Sequence, residues 1–363
     1  MEDFMRQYLL AAVSVSPLLL FSLTGAGSAQ APQPNRVSEA LVHENLAIYF
    51  IHGQSAPGKV PLTLEEAMAG GTVRVRETSN VNELEIENLG DVEVFVQSGD
   101  IVKGGKQDRT LMISLLLPPK SGAIPIASFC VEQGRWTARG REEARNFSTA
   151  AASLPSRELK LAMKAPVPTA QPTGDPAIAG PAMQAETGTR QQRVWDGVRN
   201  TQARLSGSLG AQVRSAQSAS SLQLTLENEK LVDAQKGYIN ALKSAGERDD
   251  DIIGFVFAVN GEINSADAYP SNGLFRKMWS KLLTASVIEA IGQKNQPAVA
   301  PPSADAVNAF LAQAEAGRAA AKALNSGVRL DTREVEKAYL FETMRLAGSG
   351  APEAWVHRNY LAK

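Results

Sequence analysis

Glu83-Leu84-Glu85-Ile86-Glu87 alternates carboxylate and aliphatic side chains with a period of two. Successive side chains of a strand point to opposite faces, so this run specifies a half-buried β-strand and not a helix. Working outward, Val73-Arg74-Val75-Arg76 repeats the alternation. Val92, Val94 and Val96 alternate with Glu93 and Gln97, with Phe95 on the polar side. Asn88-Leu89-Gly90-Asp91 has turn chemistry, so 83–97 reads as a hairpin. Residues 110–117 and 124–131 are more continuously apolar and read as strands deeper in the sheet. Upstream, residues 46–51 read as a strand, and Thr63 as the cap of a short helix over 64–69. The first 140 residues are therefore mainly β, an antiparallel sandwich or partly closed barrel.

The second half changes character. Residues 190–205, 226–243 and 274–291 have helical periodicity. The last carries Phe275, Met278, Trp279, Leu282, Leu283, Val287 and Ile291 on one stripe. Ile252-Ile253-Gly254-Phe255-Val256-Phe257-Ala258-Val259 reads as a buried strand returning through Asn260-Gly261. The Ala-rich segment 304–324 reads as helix, and 337–344 and 355–361 as two last strands, with His357 and Tyr360 in a folded terminus. Pro, Ala, Thr and Gly dominate 165–190, while Ser, Gly, Ala and Gln dominate 206–221, so both read as flexible insertions. The expected architecture is a single α+β domain over 37–363, an antiparallel β-rich core with several helices packed on it in the C-terminal half.

Residues 9–23 form an apolar run of signal-peptide length, and Gly27-Ser28-Ala29 and Ala29-Gln30-Ala31 fit small-residue cleavage sites. Residues 1–31 thus read as a signal peptide and the protein as exported, periplasmic or extracellular, with no stable membrane insertion after cleavage. A retained N-terminal anchor is the alternative. The formal net charge of −1 gives no reason to expect nucleic acid. Cys130 is the sole cysteine, so no internal disulfide forms, and its apolar surroundings suggest a buried, inert thiol.

Chemistry-bearing side chains gather in two stretches. Gly99-Asp100-Ile101-Val102-Lys103-Gly104-Gly105-Lys106-Gln107-Asp108-Arg109 is rich in Gly and cations but lacks the spacing of a nucleotide P-loop. It could gather backbone N–H groups around an anion, or be a plain turn with solvated lysines. Glu132-Gln133-Gly134-Arg135-Trp136 sets a carboxylate, an amide, a guanidinium and an indole at a strand end. Arg135 could hold a carboxylate or phosphate with Trp136 stacking, or form a buried pair with Glu132. The candidate ligand site is therefore Asp100, Lys103, Lys106, Gln107, Arg109, Glu132, Gln133, Arg135 and Trp136. The chain has no His-Glu-x-x-His and no Gly-x-Ser-x-Gly. Asp249-Asp250-Asp251 lacks the spacing of a calcium loop. No metal and no cofactor is assigned.

These two stretches, with Val259-Asn260-Gly261, Asp267 and Trp279, resemble the ARG- and rhodanese-phosphatase-superfamily-associated protein domain, a bacterial and archaeal domain of unknown function. Glu132-Gln133-Gly134-Arg135-Trp136 is the most specific part. Asp108 departs from the family pattern, in which Asn is common. The resemblance implies one domain joining the β-rich front to the helical back, with 99–109 and 260–273 approaching each other. It also implies a link to nucleotide or ADP-ribose chemistry.

Three functions fit. The first is a module binding a small polar or anionic ligand, or a protein partner. The second is a hydrolase acting on a phosphorylated or ADP-ribose-like compound, with Asp100 or Glu132 as general base. The third is a structural envelope component.

Overall fold

The computed structural model describes residues 35–363 apart from 79, 141, 167–175, 295–298, 325–326 and 348–352, and for 176–185 only the helical backbone. The segment read as a signal peptide lies outside the described residues. The chain opens with β1 (Arg36–Val37), β2 (Leu41–His43) and β3 (Leu46–His52). Next come β4 (Leu62–Thr63) and α1 (Leu64–Ala69), which starts at a full capping box between Thr63 and Glu66. Eight strands follow: β5 (Val73–Glu77), β6 (Glu83–Asn88), β7 (Val94–Val96), β8 (Asp100–Gly104), β9 (Arg109–Leu111), β10 (Leu115–Leu117), β11 (Gly122–Cys130) and β12 (Phe147–Ser153).

Six of these strands form an antiparallel sheet in the order β12-β8-β9-β11-β6-β5. The sheet curls until its edges meet: Arg76 bridges Asn146 beside β12, and the Glu77 N–H donates to the Arg145 carbonyl at 3.1 Å. A partly closed barrel is thus what the alternation builds. Val75, Leu84, Ile86, Val102, Leu111 and Ile126 meet inside it, joined by Val94, Val96, Leu115 and Leu117 from a small sheet ordered β10-β7-β4.

Residues 83–97 are not a hairpin. β6 already has β5 on one edge and β11 on the other, so no edge is left for β7. The buried Asn88 amide ends the strand instead. Its Nδ2 donates to the carbonyls of Val92 (2.8 Å) and Pro118 (3.0 Å), and its Oδ1 accepts from the Gly90 N–H (3.0 Å). The chain thereby leaves one sheet for another.

The second half contains α2 (Arg157–Lys164), α3 (Pro176–Leu209), α4 (Leu222–Leu226), α5 (Glu229–Leu242) and α6 (Ala245–Arg248), then β13 (Ile252–Val259), β14 (Glu262–Ala268), α7 (Asn272–Gly292) and α8 (Ala304–Ala316). It closes with β15 (Ala319–Ala323), β16 (Val328–Glu334), β17 (Ala338–Arg345) and β18 (Ala354–Ala362). A large antiparallel sheet runs β1-β3-β13-β14-β18-β17-β16-β15, with β2 also on β3. Asn260 and Gly261 both take positive φ (51° and 81°), the condition for the tight turn joining β13 to β14. α7 covers one face of this sheet through Phe275 and Trp279, packed on Phe255 and Phe50. α8 covers the other through Val307 and Ala314, in one cluster with Tyr49, Val256 and Ala258.

Three readings of the second half change. Helix at 304–324 stops at Ala316, and 319–323 pairs with β16 as an exposed edge strand. Alanine side chains bury little there, so backbone pairing along the free edge decides the conformation. Within 165–190, read as an insertion, α3 begins at Pro176, a residue suited to a first helical turn because it has no N–H to leave unpaired. Within 206–221, the first four residues finish α3. The rest is held by fully buried Val213 and by Gln202 Nε2 donating to the Ala219 carbonyl at 3.0 Å.

Replacing Asn88 with Ala removes the donor to the carbonyls of Val92, Leu117 and Pro118 and the acceptor of the Gly90 N–H. We expect a loss of about 2–3 kcal/mol, read as a lowered urea midpoint at unchanged slope; a loss below about 0.5 kcal/mol would show that water replaces the amide.

Candidate functional site

β8 ends at Gly104 and Gly105 follows it, both at positive φ (116° and 54°). A Cβ on Gly105 would lie 2.3 Å from the Phe147 ring, so only glycine fits against that aromatic floor. The tight turn brings Asp108 back onto β8, where its Oδ1 accepts the Gly104 N–H at 3.0 Å. Asp108 is fully buried and forms the centre of a charged network. Arg139 donates to both of its oxygens (3.1 and 3.3 Å), the Ser221 hydroxyl donates at 2.9 Å, and Arg135 Nη2 stands 3.5 Å away.

Glu132, also fully buried, lies just past the end of β11. It accepts the Asp108 N–H (3.2 Å), Arg135 Nε (2.7 Å) and Arg139 Nη1 (3.4 Å). Arg135 spends its remaining donors on the carbonyls of Gly104, Gly105 and Thr137. Arg139 also reaches Glu142 at 2.7 Å. Two carboxylates and two guanidiniums thus balance in a largely buried site, each with several partners. Burial and the neighbouring Glu132 charge push the Asp108 carboxyl above its ordinary value, against the pull of Gly104 and Arg139. Burial acts to lower the Arg139 value, but Asp108 and Glu142 outweigh it and hold the guanidinium charged.

Above this network lies an open cleft of about 1310 Å³, bordered by Lys103, Arg135, Arg139, Glu142, Asn146 and Glu227 among others. Lys103 Nζ holds both oxygens of Glu227 across the rim (2.6 and 2.9 Å). Partial burial would raise the Glu227 carboxyl, but bonds from Lys103 and Gln223 keep it below the ordinary carboxylate range.

The structure separates the nine residues singled out from sequence. Lys103 and Arg135 border the cleft, and Glu132 lies beneath Arg135. Gln133 is exposed and accepts from Arg199 at 3.2 Å. Trp136 is exposed, with Lys106 Nζ 5.2 Å from its ring centroid, a cation–π contact outside the cleft. Gln107 and Arg109 are enclosed, and Arg109 donates to Gln107, Glu77 and Cys130 Sγ. Asp100 is buried elsewhere, paired with Lys281 of α7 at 2.9 Å. The sequence reading left Asp108, Arg139, Glu142, Ser221 and Glu227 out of the site. The charge series Glu132, Arg135, Arg139, Glu142 was visible, but its partners lie far along the chain.

Asp249 pairs with Arg248, and Asp251 with His52 at 2.7 Å. Among the described residues, no group of three or more His, Cys, Asp or Glu is placed to hold a metal ion, and no helix is long and apolar enough to cross a membrane.

Fold and site together define an α+β domain in which a curled β-sheet, built on a larger sheet and its helices, carries a cleft over a buried ionic network. Residues 35–361 match the model of the ARG and Rhodanese-Phosphatase-superfamily-associated Protein domain, and the chain belongs to that family. No curated protein and no solved structure matches it.

Burial raises the Cys130 thiol to about 11, although Arg109 pulls it down. A chromogenic disulfide reagent at pH 8 should leave the native thiol unmodified and titrate one thiol after unfolding. Rapid native labelling would show that the barrel opens at β11.

Proposed function

We propose that this protein is an exported ligand-binding module whose cleft takes a small polar molecule. The observation that carries the reading is the buried Asp108–Arg139–Glu132–Arg135 network directly beneath the cleft. Such networks are poor sources of stability, because removing ions from water offsets most of their mutual attraction. They do fix geometry. Here Arg135 and Arg139 are held rigid at the cleft floor, so a ligand would meet groups already in place.

The lining supports a ligand with both donors and acceptors. The cleft is lined by Lys103, Arg135 and Arg139, by Glu142, Glu143 and Glu227, and by the neutral polar Asn146, Ser148, Thr149 and Gln217. An anionic group of the ligand would displace Glu227 from Lys103, the most exchangeable of these pairs. The hydrolase alternative finds no such support, since Asp100 and Glu132 do not border the cleft and each is occupied by a cation.

The test is thermal unfolding of the mature chain against nucleotides, sugars, amino acids and phosphates. A ligand at about one hundred times its Kd adds about 2.7 kcal/mol. We expect such a shift to vanish in Lys103→Ala, which breaks a partly exposed pair and costs at most about 1 kcal/mol of stability. A shift equally strong in Lys103→Ala and Asn146→Ala would move the ligand off this cleft, and a flat screen would count against the reading.

Export is supported by the apolar run at 9–23 and the small residues after it. Mass spectrometry of the chain from its native host should find cleavage after Ala29 or Ala31; an intact Met1 on the mature protein would refute this.

A further inference from the structure

A second polar cluster lies away from the cleft, where the irregular stretch 112–114 between β9 and β10 meets β14 and β18 of the large sheet. Ser114 Oγ stands 2.9 Å from His357 Nδ1, and His357 Nε2 stands 3.0 Å from Asp267 Oδ1. All three side chains are buried. Asp267 and Asn359 are register partners on β14 and β18, and His357, two residues before Asn359, shares its face. The Asn359 amide also donates to Asp267 Oδ1 at 2.9 Å, and the His357 ring stacks on Tyr269 at 5.1 Å.

The direction of the protons follows from the partners. Hydrogen bonding from His357 holds the Asp267 carboxyl below its ordinary value against the opposing effect of burial, so it accepts and Nε2 carries the ring proton. Burial keeps His357 neutral more strongly than Asp267 favours its charge, which leaves a lone pair on Nδ1. Ser114 Oγ already accepts the Ser98 N–H at 2.9 Å, so its own proton points to that lone pair. The chain reads hydroxyl to imidazole to carboxylate, the order in which a base activates a serine.

Ser114 and His357 both border a cavity of about 40 Å³, walled by Met112, Ile113, Leu330 and Phe341. Lys164 borders it too, its Nζ 4.6 Å from the centroid of the Phe341 ring. That volume holds a few waters at most, so an acyl group longer than acetyl does not fit beside Ser114. We propose that Ser114, His357 and Asp267 form a nucleophilic site that hydrolyses esters of the shortest acyl groups, acetyl above all, independently of the cleft.

Ser114 Oγ bonds to the acyl carbon while its proton passes to His357 Nδ1. The bond from that carbon to the alcohol oxygen then breaks, and His357 returns the proton to the departing alcohol. Water adds to the acyl-serine, giving a proton to His357. The carboxylic acid leaves, and Ser114 recovers its proton. Lys164 Nζ donates to Asn359 Oδ1 at 2.6 Å, and Asp267 positions the imidazole without touching substrate.

The experiment incubates the mature chain with p-nitrophenyl acetate and p-nitrophenyl hexanoate, follows nitrophenolate release, and maps the acyl adduct by peptide mass spectrometry. We expect an acetyl group on Ser114 and release from the hexanoate at least about tenfold slower. Ser114→Ala, nearly isosteric, should abolish the adduct with its thermal transition retained. His357→Gln should slow release more than about a hundredfold. If His357→Gln fails to fold, the wild-type adduct map and Ser114→Ala decide. Folded wild type with no release above buffer, or an adduct on Lys164 or elsewhere that survives Ser114→Ala, would overturn the proposal and leave the cluster as a structural tie.

Discussion

The constraint on which the molecule depends is that the central strands β3 and β13 of its large sheet are buried on both faces. Every residue of β13 is buried, and so is every residue of β3. Leu46, Ile48, Phe50, Phe255 and Phe257 point to the α7 side, while Ala47, Tyr49, Ile51, Val256 and Ala258 point to the α8 side. A strand of this kind cannot be left half covered, since each exposed large apolar side chain forfeits about 1.5–3 kcal/mol. The helices from the end of the chain must therefore close over strands from its beginning. That requirement makes Pro34–Lys363 one compact unit rather than a β domain followed by a helical one.

The same constraint explains the burial of α7. Its sequence stripe named the face toward the sheet, but Ala285, Ser286, Ile288 and Ala290 are buried as well. Lys281 and Glu289 are buried with it and must find partners. Lys281 takes Asp100 at the foot of β8, and Glu289 accepts from Asn264 (3.3 Å) and Gln293 (2.9 Å). The Lys281–Asp100 pair ties the curled sheet to the helix that covers the large one. The Tyr269 hydroxyl, donating to Gln97 Oε1 at 2.5 Å, ties the end of β14 to the segment after β7. Segments 99–109 and 260–273 do approach each other, at Gly99 and Asp267, which border one small cavity.

How much of this was legible follows from the range of each signal. Period-two alternation and the Asn260-Gly261 turn are local, and the strands and hairpin they specify are present. Strand partners are not local. Asn88 looked like a turn residue and is one, yet nothing nearby says that β11 rather than β7 lies alongside β6. Ala-rich 319–323 has helical propensity but occupies a sheet edge, where pairing overrides it. The site is legible in the same measure. Glu132 and Arg135 are three residues apart and pair as their types suggest. Ser221, 113 positions beyond Asp108, could not be placed from sequence.

The stretches that stood out in the sequence turn out to be framework more than contact surface. Gly105 is glycine because Phe147 occupies the space of a Cβ, and Gln107, Arg109, Glu132 and most of Arg135 face inward. A dense charged motif at a strand end reads as a binding site because exposed charges are easily imagined around a ligand. When the chain folds, most of those charges neutralise one another, and the cleft is faced by Lys103 and Arg135 from these stretches together with Arg139, Glu142 and Glu227 from outside them. The motif's contribution is therefore mostly indirect. It fixes the floor, and neighbouring residues on less distinctive segments determine what the floor can hold. The Ser114–His357–Asp267 cluster follows the same logic at the other junction: three ordinary residues on three separate segments acquire chemistry only because two sheets are clamped together.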